Sequence, residues 1–81
     1  MVFSSTSMIE ASIKAGKKAI GRHIALLQPV NKQIARLHFF NAQRSATDEI
    51  IRLAQNGEYH LVCKYARLAH TAQIELADLD V

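Results

Sequence analysis

The chain has 81 residues, of which 49% are hydrophobic and 21% charged, with a formal net charge of +3. That is one domain at most, and it is too apolar for a disordered chain. Its single cysteine, Cys63, rules out an internal disulfide, and no stretch approaches the roughly 18 apolar residues of a membrane-spanning helix. A chain this short buries only about 60–65% of its unfolded surface, so tight helix packing or self-association is expected to supply the rest.

The charge is unevenly spread. Residues 1–44 carry seven bases against one acid, a net of +6, and residues 45–81 carry three bases against six acids, a net of −3. Two surfaces of opposite sign must meet each other or meet partners. Three glycines and one proline leave little material for turns, and β-type alternation is missing. The expected fold is therefore all-α, a small bundle of three to four helices.

Residues 1–6 are expected to form a frayed leader with neither the basic nor the apolar region of a secretory signal, and residues 7–81 a single helical domain. Ser7-Met8-Ile9-Glu10 has the spacing of a capping box. The first helix is expected from about Met8 to Leu27. Its apolar residues Ile9, Ile13, Ile20, Ile24 and Leu27 fall within an arc of about 60°. Gly16 lies on the same stripe, where a glycine costs about 1 kcal/mol relative to Ala, and this points to a close helix crossing.

Pro29 either opens a new helix or kinks one long helix. The apolar seam continues through it to Val30, Ile34 and Leu37, which favours a kink or a very tight joint over a loop. The next segment carries Ile34, Leu37 and Phe40, with Phe39 as a further candidate, to about Gln43. Ser45-Ala46-Thr47-Asp48 then reads as a second helix start, followed by Ile50, Ile51, Leu53 and Ala54. Asn56-Gly57 is a helix stop. The last helix is expected from Glu58 or Tyr59 to Leu79, with Leu61, Tyr65, Leu68, Ala72, Leu76 and Leu79 on one stripe. Glu10, Asp48, Glu49 and Glu58 then fall in first turns, where the helix dipole favours acids. The expected core is Ile9, Ile13, Ile20, Ile24, Leu27, Ile34, Leu37, Phe40, Ile51, Leu61, Tyr65, Leu68 and Leu76.

The last helix has a second apolar stripe. Cys63, Ala66, His70, Ile74 and Ala77 span about 80° opposite Leu61. Such a helix is either central in its bundle or shared with a partner. Cys63, Ala66, His70 and Ile74 are the candidate self-association residues. Lys14, Lys17, Lys18 and Arg22 form a basic face suited to an acidic partner or to phosphate.

Catalysis and cofactors find little support. His60, Cys63 and His70 share one helix but lack the paired motifs of zinc sites. Cys63 lies inside a helix, away from the N-terminal dipole that activates thiols. There is no Gly-rich phosphate loop or other cofactor fingerprint. The sequence therefore points to a small non-catalytic, cytoplasmic interaction protein, an adaptor or inhibitor. It would dock a helical face on a protein partner and form a homodimer, with no cofactor, metal or membrane. The alternative is a basic nucleic-acid-binding regulator using the Lys14, Lys18 and Arg22 face.

Overall fold

The computed structural model describes residues 5–21 and 29–79. These form three helices and no strand: α1 (Ser5–Ile20), α2 (Pro29–Gln55) and α3 (Val62–Leu79), the last preceded by a short 3-10 turn, Tyr59–Leu61. α1 and α3 each pack along α2 and touch each other far less. Thr6 meets Tyr65 at one end, and Lys17 meets Glu75 further along. α1 and α3 therefore run in the same direction, with α2 antiparallel to both. The molecule measures 45 × 30 × 16 Å along its principal axes. With helices about 10 Å across, the thin dimension holds only two layers, so every helix keeps a solvent face.

The helix ends follow from local chemistry. Gly21 takes the left-handed conformation (φ 71°), and its N–H donates to the Lys17 carbonyl, closing α1 at Ile20. The expected helix to Leu27 is thus cut short. Ile24, Leu27 and the joint that leads into Pro29 lie outside the described residues, and so does the expected kink. Pro29 is the first residue of α2, where its missing N–H leaves no hydrogen bond unmade.

α2 stops at Asn56-Gly57, as the sequence indicates. Gly57 has φ 75°, its N–H donates to Ala54, and the Glu58 N–H donates to Leu53. This is the paired Schellman arrangement, and a left-handed residue at Gly57 is what it requires.

Three local expectations fail. Ser5 and Thr6 belong to α1 rather than to a frayed leader, and Thr6 is buried against α3. Ser7 therefore sits within the helix, not at its cap. Ser45–Asp48 starts no helix, because α2 runs through it unbroken for 27 residues. The Thr47 hydroxyl donates to the Gln43 carbonyl one turn back, at 2.9 Å, so it is satisfied inside the helix rather than at a start. Consequently none of the three helices has an acid in its first turn, and capping does not account for the acidic surplus. The bases fit better: Lys17 and Lys18 occupy the last turn of α1, where the dipole favours cations.

The core is made of Ile9 and Ile13 from α1, Ala35, Phe39, Ala42, Ala46 and Leu53 from α2, and Tyr65, Ala72, Leu76 and Leu79 from α3. Ile20, Leu61 and Leu68 pack at its edge. The α3 stripe is as expected. On α2 the expected core residues Ile34, Leu37, Phe40 and Ile51 are exposed instead. The reason is geometric. α2 carries both neighbours on one arc of about 60°, and that arc is mostly alanine, which lets two helix axes approach closely. Phe39 fills the notch left by Gly16: a Cβ on Gly16 would lie 2.6 Å from the Phe39 ring. The close crossing expected at Gly16 is therefore its contact with α2.

Candidate docking face

The burial pattern of α2 is inverted by size. Small side chains face inward, and large aliphatic and aromatic ones face out. Val30 is 63% exposed, Leu37 61%, Phe40 55%, Ile51 52% and Ile34 43%. On a helix these five occupy about 120° opposite the alanine stripe. Val30, Ile34, Leu37, Asn41, Arg44, Asp48, Ile51 and Gln55 also follow one another in alternating steps of four and three residues. That is the period of a coiled-coil seam. Fully burying a large apolar side chain contributes about 1.5–3 kcal/mol, and with these five 43–63% exposed roughly half of that is left unrealised at each. Val30, Ile34, Leu37 and Phe40 lie next to one another, with Ile51 beyond Asn41, Arg44 and Asp48, which makes this face a candidate docking surface, whereas single exposed leucines need no explanation.

The candidates on α3 lie in the open. Cys63, Ala66 and His70 are exposed, as is Ile74 at 47%. They share one outer face of α3, away from the buried Tyr65, Ala72, Leu76 and Leu79. That face is thinner in apolar material than α2's, since Ile74 is its only large aliphatic residue.

The basic residues divide. Lys14 and Lys17 line a groove between α1 and α3 whose other wall includes Leu68 and Thr71. A second pocket, sharing Glu10 and Leu68 with the first, is lined by Cys63, Lys64 and Arg67. The sequence reading missed Lys64 and Arg67 because they lie about 50 residues away and reach the groove only through the packing of α3 beside α1. Lys18 is exposed but is not part of the groove lining, and Arg22 lies outside the described residues. The groove is not purely basic. Lys17 Nζ stands 3.6 Å from a Glu75 carboxylate oxygen, and Glu10 lines both parts.

Polar contacts join side chains between the helices and within α2. Thr6 Oγ1 donates to the Tyr65 hydroxyl at 3.1 Å inside the α1–α3 contact. Gln43 donates to the Gln73 side-chain carbonyl between α2 and α3. Arg52 is held by Glu49 at 2.7 Å, and this hydrogen bond pushes the guanidinium further above its already high pKa. Among the described residues, no three His, Cys, Asp or Glu side chains converge where they could hold a metal. No helix among them is long and apolar enough to cross a membrane.

Compared with known protein families, curated proteins and solved structures, the chain matches none.

Proposed function

We propose that this chain is a small non-catalytic interaction protein of the cytoplasm, an adaptor or inhibitor that docks a helical face on a protein partner and self-associates. The observation that carries this reading is the outer face of α2, where Val30, Ile34, Leu37 and Phe40 are exposed next to one another and Ile51 is exposed further along the same face. A helix presenting anchors at such spacing fits a groove or a second helix. The charge split then steers the encounter and sets orientation. The self-association residues first indicated by the sequence, Cys63, Ala66, His70 and Ile74, stay in this reading as a lesser exposed face.

The test is a photo-activatable cross-linking residue placed at position 37 in the native cell, with position 18 on α1 as control. Adducts to a defined protein at 37 and none at 18 support the reading. No adduct at 37, in a variant whose helicity is unchanged, overturns it.

One observation favours a second reading. Lys14 and Lys17 of α1 line one pocket and Lys64 and Arg67 of α3 the next, the two meeting at Glu10 and Leu68, so four bases are exposed along one side of the molecule, as a phosphate-binding surface requires. Duplex DNA and RNA titrated at low and moderate salt separate the two readings. Binding that falls steeply with salt and is lost on charge reversal at Lys14, Lys17 and Arg67 favours nucleic acid. No binding at low salt removes it.

A further inference from the structure

The two pockets between α1 and α3 form a surface of different chemistry from the outer face of α2. We propose that they take a short, acidic, amphipathic helical segment of a partner protein. No α2 residue lines either pocket, so this surface is independent of the docking face on α2.

Helical spacing builds the surface. On α1, Glu10, Ile13, Lys14 and Lys17 follow one another at i, i+3, i+4 and i+7, and so share a face. On α3, Lys64, Arg67 and Leu68 do the same at i, i+3 and i+4. Thr6 is level with Tyr65, and Lys17 with Glu75. In that register Lys64 and Arg67 sit beside the start of α1, and Lys14 and Lys17 sit beside the second half of α3. The bases therefore stand on opposite walls at opposite ends. Their centres are on the order of 12 Å apart along the axis, or about eight residues of helix. Ile13, 7% exposed, and the half-buried Leu68 lie between them.

Charge complementarity names the occupant. Lys17 already faces Glu75 at 3.6 Å. Lys14, Lys64 and Arg67 are exposed, and among the described residues none has an ion-pair partner. Glu10 is the one acid that lines the pockets, so three unanswered bases stand against a single carboxylate. A phosphate backbone would gain nothing from Ile13 and Leu68, and Glu10 would repel it where the two pockets meet. No aromatic side chain lines either pocket, so a single strand has nothing to stack on. A helix with acids about eight residues apart and apolar residues between them answers both the bases and the floor. Glu10 at the centre disfavours a segment that is acidic throughout.

The test selects displayed random peptides of about 16 residues, some four helical turns, on the full chain. The selected peptides are expected to carry acids about eight residues apart with apolar residues between. Fluorescence anisotropy of a labelled selected peptide should show binding weakened about tenfold by Lys14→Glu and by Arg67→Glu. Lys18→Glu, outside both pockets, and Leu37→Glu on α2 should leave it unchanged. Circular dichroism checks that each variant keeps its helicity, and Lys64→Glu replaces either groove variant that does not fold. No selected peptide, or peptides without an acidic surplus, overturns the proposal. Peptides lost on Leu37→Glu but indifferent to Lys14→Glu and Arg67→Glu also overturn it, and leave the docking face on α2 standing. Duplex DNA or RNA that displaces the labelled peptide at lower concentration than the unlabelled peptide does assigns the pockets to phosphate and overturns it as well.

Discussion

Gly16→Ala is the substitution that most sharply tests the packing of α1 on α2. Two effects oppose each other. In a helix interior, replacing Gly by Ala favours folding by about 1 kcal/mol through backbone entropy. Here the new Cβ would stand 2.6, 2.7 and 2.9 Å from three atoms of the Phe39 ring. Carbon atoms in contact sit about 3.5–4.0 Å apart, so the ring must retreat by about 1 Å. Phe39 is fully buried, at 0% exposure, and a flat ring in a closed core has nowhere to slide. Overpacking of this kind costs about 1–3 kcal/mol, and the three close contacts place it at the upper end. The net expectation is a loss of about 2 kcal/mol, or roughly 8–16 °C in Tm for a domain of this size. Urea unfolding followed by circular dichroism, at fixed protein concentration, measures it. The cycle with Phe39→Leu isolates the cause: without the ring edge, Gly16→Ala should stabilise, giving a coupling of about 2–3 kcal/mol. A Gly16→Ala variant that gains about 1 kcal/mol in the wild-type background would falsify the close approach, because that is how a glycine on an open helix face behaves.

Other substitutions probe the remaining devices. Gly57→Ala, at φ 75° with open space around it, should destabilise by about 1 kcal/mol through backbone strain alone, read as a lower urea midpoint. Thr6→Val removes the donor to the Tyr65 hydroxyl and should cost about 1 kcal/mol. Adding Tyr65→Phe should cost little more, since both partners are then apolar. Lys17→Gln at the exposed ion pair with Glu75 should change stability by less than about 1 kcal/mol, and a larger loss would mean that this pair anchors α3 to α1.

Much of the fold is legible in the sequence where one residue can satisfy only one geometry. Asn56-Gly57 ends a helix because few other pairs supply a left-handed residue there. The α3 stripe from Leu61 to Leu79 is read correctly because its large and its buried residues coincide. α2 defeats the same reasoning. Phe39 and Phe40 are neighbours about 100° apart on the helix, so one is buried and the other is not, and size alone cannot choose between them. The choice falls to Phe39 because Gly16 leaves a notch for it, a fact that links residues 23 apart in sequence.

The alanine stripe Ala35, Ala42 and Ala46 was the available signal. It is in step with Phe39 and Leu53, and small residues at one face mark close helix contact as surely as large ones mark a core. The false start at Ser45–Asp48 has a simpler cause. A short polar run satisfies its hydroxyl equally well at a cap or one turn back inside a helix, and the well-formed flanks of α2 decide for the latter. The docking face was hidden by the same error, because Ile34, Leu37 and Phe40 were spent on the core.

The chain contains no tryptophan, so Phe40→Trp places a single reporter on the outer face of α2 with little change in shape. The most direct measurement is its emission spectrum across protein concentration. A blue shift as concentration rises, abolished by adding Leu37→Glu, is the result expected of a face that is covered by association. A maximum typical of water-exposed indole at every concentration, unchanged in cell extract, would contradict it.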